Sequence, residues 1–241
     1  MKNTPLTPLK RGTKPAMTTQ INILSTKKLL TNQKQDILNA NITLIEEDFI
    51  STNYLSPLLE GLGEALIFTS QNAVQSILQN PKCNELKSKN VFSVGIKTKE
   101  LLTDNGFNVI AYTGFASDLA EIISLIYNKE SYTFFSGNLR RDVLPNTLKE
   151  NGITCNEIVV YETNITSKKI TNKLDGILFF SPSAVESYLK LNLIKNETCF
   201  CIGETTAEAL ENKKIKNIII ADRPTVEDLI HKCLNYYKNE Q

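Results

Sequence analysis

The sequence contains a single histidine, His231. Neither a histidine-built metal centre nor a serine–histidine–aspartate triad has the parts it needs, and His231 itself reads as a surface residue of the last helix. Long apolar runs are also missing: none approaches the roughly 18 residues that a membrane span requires. Net charge is close to zero, +1 over 241 residues, so no global field draws the chain to nucleic acid or to a membrane surface. The five cysteines, Cys83, Cys155, Cys199, Cys201 and Cys233, are an odd number without paired metal spacing. Cys199-Phe200-Cys201 sits in an apolar run, where alternate strand positions face one way and a thiol acts as a small core side chain. No apolar leader occupies residues 1–20, and the chain reads as a reduced, cytoplasmic protein. Motif signatures are absent as well. Gly61-Leu62-Gly63 lacks the third glycine of G-x-G-x-x-G, and there is no G-x-x-x-x-G-K-[ST], H-E-x-x-H or C-x-x-C. This disfavours dinucleotide oxidoreductases, P-loop nucleotidases and zinc enzymes. Hydroxyls, amides and positioning are left to do any chemistry.

What the chain does have is a core: 41% of its residues are hydrophobic and 22% charged, the balance of a globular domain. Residues 1–19 are the exception, with basic residues and prolines but no acid. They cannot bury enough apolar surface to offset ordering entropy, which predicts a disordered tail, with Met17 as an alternative start. Beyond residue 20, short apolar runs alternate with helical periods. INILS (21–25), ITLIE (42–46), ALIFTS (65–70), VFSVG (91–95), NVIAY (108–112), YTFFSG (132–137), EIVVYE (157–162), GILFFS (176–181), TCFCIG (198–203) and NIIIA (217–221) are the runs. Strands without polar alternation suit a parallel sheet covered on both faces, so the fold class is α/β.

The chain also repeats itself. IFTSQNAVQSIL (67–78) answers LFFSPSAVESYL (178–189), with Ser70 and Ser181 lying 111 residues apart. ILS at 23–25 answers FFS at 134–136 at the same offset. SVGIKTKELL (93–102) answers CIGETTAEAL (201–210) at 108, and SDLAEII (117–123) answers EDLIHKC (227–233) at 110. Segments matching in one order make a tandem duplication of domain size.

Each repeated site has one design: a buried strand ends, a Ser, Thr or Gly follows, and a helix begins. Ser181-Pro182 is a strong start signal, serine as N-cap and proline at the first helical position. Thr205-x-x-Glu208 fits a capping box. Gly95 and Gly203 clear the side chain where strand turns to helix. In a parallel sheet these turns share one rim, where helix N-termini offer N–H groups and partial positive charge to anions. Capping alone also accounts for such residues. Two facing rims would suit a large polyanion, with local help from Lys27, Lys97 and Arg140.

FTSQNAV (68–74), SVGIKT (93–98), FFSGNLRRDVLPNTLKENGI (134–153), VVYET (159–163), FFSPSAVESYL (179–189) and CIGETTAEAL (201–210) together resemble the uroporphyrinogen-III synthase family, in order and spacing. The resemblance implies two similar lobes, each a parallel sheet flanked by helices, that exchange chain segments. Residues 20–47 plus 164–241 would form lobe 1 and residues 48–163 lobe 2, with linkers crossing near Glu47 and Thr163. It implies cofactor-free and metal-free cyclisation of hydroxymethylbilane, a linear tetrapyrrole fringed with carboxylates, with loss of water and inversion of ring D. Tyr161 would assist the departing hydroxyl, or else is a strand-end tyrosine with a packed ring. Ser70, Thr98, Ser181, Ser183, Thr205, Thr206, Gly137, Asn138 and Lys27 would bind substrate; Lys27 stands where relatives often carry arginine, so a bidentate grip there is in doubt. The implied partners are that substrate and, transiently, the enzyme that makes it, with a monomer acting alone and no nucleic acid or membrane. A non-catalytic two-lobed anion-binding protein or sensor, and an α/β transferase for a phosphorylated or sugar ligand, are the competing readings.

Overall fold

Alternating strands and helices form throughout the computed structural model, which describes residues 20–40 and 42–239. The expected disordered tail and Met17 lie outside the described residues. In chain order the elements are β1 (Asn22–Ser25), α1 (Thr31–Asn39), β2 (Thr43–Glu46), β3 (Ile50–Tyr54), β4 (Ala65–Phe68), α2 (Gln71–Leu78), α3 (Cys83–Leu86), β5 (Asn90–Val94), α4 (Ile96–Asp104), β6 (Asn108–Thr113) and α5 (Ala116–Ile126). They continue with β7 (Tyr132–Gly137), α6 (Val143–Glu150), β8 (Cys155–Ile165), β9 (Gly176–Phe179), α7 (Pro182–Leu191), β10 (Thr198–Cys201), α8 (Glu204–Glu211), β11 (Ile218–Ile220) and α9 (Val226–Asn239). None of the described helices is long and apolar enough to cross a membrane.

The strands sort into two sheets, and the described residues into two compact units: those up to Asp48 with those from Lys168 onward, and residues 49–167. The first unit's sheet runs β2-β1-β9-β10-β11, every pairing parallel. The second unit's sheet runs β8-β7-β4-β5-β6 in the same sense, also parallel, with β3 added antiparallel beside β8. Position for position, the two orders are one topology, with β1 answering β7 and β9 answering β4. Each sheet therefore draws strands from both halves of the duplication.

Burial explains why the central strands read as unbroken apolar runs. Every residue of β4, β7, β9 and β10 is buried. In the second unit Leu66, Phe68 and Phe135 pack with α2 on one face, while Ile67, Phe92 and Phe134 pack with α5 and α6 on the other. Each such side chain contributes about 1.5–3 kcal/mol on leaving water. In the first unit Ile23, Leu178 and Phe200 face α9, and the Phe179 ring meets Tyr188 of α7 edge-on at 5.7 Å. Cys199 and Cys201 fill the strand interior as expected, and burial pushes both thiols up to about 12.

The unit boundaries differ from the expected ones. Asp48 belongs to the first unit, because its carboxylate accepts from the Lys28 N–H at 2.9 Å. Thr163 is no linker: it lies inside β8, paired with Thr52, and β8 continues to Ile165, paired with Ile50. Residues 164–167 thus belong to the second unit, held further by the Thr166 N–H on the Phe49 carbonyl at 3.0 Å. The strand β3 escapes sequence reading because it is an exposed edge whose residues ISTNY include only Ile50 as an aliphatic. Antiparallel edges on parallel sheets are common in doubly wound folds.

Candidate functional site

Doubly wound sheets bind ligands beyond the carboxyl ends of their strands, where neighbouring strands send their helices to opposite faces. In the second unit that point lies between β7 and β4. Ser70 follows β4 and caps α2, its Oγ accepting from the Ala73 N–H at 3.1 Å. The same Oγ donates to the Tyr161 hydroxyl at 3.1 Å. Tyr161 comes from β8, and its ring lies against Gly137 at the end of β7. A Cβ on Gly137 would stand 2.3 Å from the ring, so only glycine leaves room. Asn138 follows. Its Oδ1 accepts from the Thr163 N–H at 2.8 Å, and its backbone N–H reaches the Tyr161 carbonyl at 3.3 Å. Ser70, Gly137, Asn138 and Tyr161, distant in sequence, form one contiguous cluster.

Beside it stands a group that sequence reading did not identify. Glu157 takes both Arg140 Nε and Nη2 at 2.6 Å and accepts from Ser136 Oγ at 2.6 Å. The guanidinium holds the Glu157 carboxyl below the usual carboxylate range, against the opposing pull of burial. Asp142 completes the pairing of Arg140. Arg140 was expected to add positive charge to the rim; its charge is instead spent on two carboxylates of its own unit. The one hint in the sequence was an acid within the apolar run EIVVYE.

Thr98 lies in the first turn of the neighbouring helix, α4, one strand further along. Gly95 precedes it with φ +85°, a turn that favours glycine. Thr98 is buried, its N–H on the Gly95 carbonyl at 3.1 Å. Lys97 is exposed in the same turn.

The first unit carries the matching rim. Ser181 caps α7 as expected, accepting from the Ala184 N–H at 3.2 Å with Pro182 behind it, and its hydroxyl lies 3.0 Å from Ser183 Oγ. Lys27 follows β1 and places its ammonium 4.7 Å from the centre of the Phe180 ring, a cation–π contact. Thr26, one residue earlier, turns its hydroxyl onto the Leu178 carbonyl at 2.7 Å. The capping box expected at Thr205 and Glu208 is not how α8 begins. The helix already starts at Glu204, with Gly203 extended as its N-cap, so Thr205 stands two residues past the cap position. Thr205 is exposed and Thr206 buried. The structure groups Lys27, Ser181 and Ser183 at the ends of adjacent strands and leaves Thr205 and Thr206 on the next helix along. His231 is exposed on α9, 3.8 Å from Asp36.

Chemically, the second unit's cluster is a directed hydrogen-bond chain. A helix N-terminal amide donates to a serine, the serine donates to a phenol oxygen, and the phenol proton remains to be offered outward. The first unit offers hydroxyls and an ammonium, with no phenol among its described rim residues.

Comparison with known proteins bears on what such a chain serves. A family model described as uroporphyrinogen-III synthase HemD matches residues 43–231. A uroporphyrinogen-III synthase from Chlorobaculum parvum is 28% identical over 179 residues, 65% of this chain and 73% of its own. One from Saccharomyces cerevisiae is 25% identical over 224 residues, 78% and 80% of the two chains. Among solved structures, the uroporphyrinogen-III synthetase of Helicobacter pylori superposes with a TM-score of 0.68 at 23% identity, covering 90% of this chain and all of that one. A mutant uroporphyrinogen III synthase from Thermus thermophilus also scores 0.68, at 13% identity, covering 91% and 99%. These structures share the fold.

Proposed function

This chain belongs to the uroporphyrinogen-III synthase family, and from that premise we propose how its two rims serve the cyclisation of hydroxymethylbilane to uroporphyrinogen III. Loss of the hydroxyl from the hydroxymethyl carbon leaves an electrophilic azafulvene. Ring D attacks it through its substituted carbon, giving a spiro intermediate that fragments and recloses with ring D inverted. Unassisted closure gives the uninverted isomer I. The protein's task is to help the hydroxyl leave and to hold the bilane bent for attack at the crowded carbon. Positioning of that kind can supply about 7–11 kcal/mol of a barrier.

The observation that carries this reading is the Tyr161 phenol resting on Gly137 and receiving the Ser70 proton. Accepting from Ser70 stabilises charge that develops on the phenol oxygen as it hands its own proton to the departing hydroxyl. Such general-acid assistance contributes ~10²–10⁴-fold. Ser70 thereby becomes a positioning group for the phenol. Carboxylate binding at α2 falls to the amides of Gln71 and Asn72, which have no intrahelical acceptor. In the first unit, Ser181, Ser183 and Lys27 take carboxylates of the bilane, and Thr205 and Thr98 do so at their own helix starts. The anion-binding and sensor reading loses ground because binding alone gives no reason to keep glycine beneath a tyrosine.

The test uses hydroxymethylbilane made enzymatically in place, with isomers I and III separated after oxidation. The wild-type chain is expected to yield isomer III, and Tyr161→Phe to yield it at least ~10²-fold more slowly with an unchanged melting temperature. Isomer I alone from the wild type would end the enzymatic reading; an unaltered kcat in Tyr161→Phe would remove the phenol from the mechanism.

A further inference from the structure

The duplication lets each unit act as a control for the other, and their rims differ in how much apolar surface they expose. At the helix starts of the second unit stand four exposed apolar side chains: Ile96 at 48%, Phe115 at 65%, Leu139 at 53% and Val143 at 46% of full exposure. Ile96 is the first residue of α4, Phe115 the N-cap of α5, and Val143 the first residue of α6. The repeat offsets place Glu204, Thr225, Lys28 and Asn32 at the corresponding positions of the first unit. Each of these four answers to a polar residue in the first unit, whose own exposed apolar helix-start residue, Leu30, the N-cap of α1, answers in turn to Arg141.

Capping does not explain the apolar set. Phe115 occupies an N-cap position without any side-chain hydrogen bond, where Ser, Thr, Asp or Asn is preferred; Thr225, its counterpart, does cap, its Oγ1 accepting from the Asp228 N–H at 3.1 Å. Core packing does not explain it either, since Leu119, Leu144 and Leu148 already fill the space beneath α5 and α6. Those helices lie side by side on one face of the sheet, so Phe115 and Val143 start adjacent helices at the same end. Leu139 follows directly on Asn138, within the turn that holds Gly137 under Tyr161. The apolar set thus reaches the turn that seats the phenol.

The geometry points to an apolar shelf on the second unit's rim, formed by Phe115, Leu139 and Val143 and extended by Ile96, that receives the neutral pyrrole skeleton of the linear tetrapyrrole. This rests on the proposed function above and assigns the substrate's carbon framework to the unit that carries the phenol. A pyrrole has no formal charge, and its face and methylene bridges lose water against alkyl and aryl side chains. A shelf beside Tyr161 sets which bridge carbon the phenol meets.

The experiment compares KM for enzymatically supplied hydroxymethylbilane, and the ratio of isomers III to I, in wild type and three variants. Phe115→Ser with Leu139→Ser replaces the shelf by polar groups. Phe115→Leu with Leu139→Met keeps it apolar. Lys28→Ser alters the corresponding place on the first unit. Melting temperatures accompany each, and exposed positions of this kind tolerate exchange. The polar pair is expected to raise KM about tenfold, the effect of losing roughly one buried side chain's worth of contact, and to raise the share of isomer I. The apolar pair and Lys28→Ser should stay near wild type. An unchanged KM in the polar pair would overturn the shelf, as would equal losses in the polar and apolar pairs. So would a polar pair that is normal with bilane accumulated beforehand and freed of the enzyme that makes it, and impaired only when that enzyme works alongside, which would make the patch a protein-docking surface. All three outcomes presuppose isomer III from the wild type, so they are distinct from failure of the enzymatic reading itself.

Discussion

Thr26 and Gly137 occupy the same place in two copies of one topology, and they have opposite consequences. In the first unit the threonine hydroxyl and N–H both bond the Leu178 carbonyl, closing the gap between β1 and β9. In the second unit glycine leaves that gap empty, and the Tyr161 ring occupies it from the neighbouring strand. Lys27 and Asn138, next in line, diverge likewise. One reaches over the Phe180 ring, whereas the other clasps the strand that carries Tyr161. Duplication supplied two equivalent rims; small substitutions made one a place for charged groups and the other a place for a phenol. Topology decides where a site can be, and a few atoms at the strand ends decide what it does.

That contrast can be broken at its sharpest point by exchanging the small residues. Gly137→Ala is expected to push the phenol from its seat, cutting kcat by more than ~10²-fold and costing about 1–3 kcal/mol in overpacking. Thr26→Ala should cost about 1 kcal/mol of stability through its lost hydrogen bond and leave kcat near wild type. Equal kinetic losses from the two would mean that the rims are not specialised. Turnover and thermal melts of both variants decide the matter.

A second distinction concerns acid. The Glu157 carboxyl is held below its ordinary value by Arg140. Its contribution is therefore complete above the ordinary carboxylate pKa of about 4.3 and disappears as pH falls through the lowered folded value. Glu157→Gln should lower stability by about 1–3 kcal/mol at neutral pH. It should also flatten the acid loss of the second unit, as followed by denaturant melts between about pH 3 and pH 7. An undiminished acid slope in the variant would exclude Glu157 as its source.

The smallest expected effect separates the two serine caps. Ser70→Ala and Ser181→Ala should each cost about 1 kcal/mol of stability, since each removes one acceptor at a helix start. Only Ser70→Ala should slow turnover as well, by a factor of about ten, because Ser70 alone donates to Tyr161. Matching rates in the two variants would reduce Ser70 to a cap.

Much of this was legible because it is local. Buried strands announce themselves as apolar runs, Ser181-Pro182 announces a helix start, and the repeat follows from comparing the chain with itself. What was not legible depends on residues that meet only after folding. Arg140 looked like rim charge until β8 brought Glu157 to it. The resemblance put a linker near Thr163, whereas Asn138 and Thr52, both far from it in sequence, hold it in a strand. The cap of α8 was misplaced because Gly203 has no side chain to signal that the helix has already begun. The apolar shelf went unremarked since isolated hydrophobic residues on a surface are ordinary. It became visible only when each could be set beside its counterpart.

The pairing of β1 with β9, Ile23 against Gly176 and Ser25 against Leu178, bears on synthesis. As the polypeptide leaves the ribosome, β1, destined for the interior of the first sheet, emerges early and then waits. An entire second unit, contiguous from residue 49 to 167, can fold before its neighbour β9 exists. Until then β1, α1 and β2 are an orphan parallel βαβ unit with an open edge, the kind of nascent segment that chaperones shield.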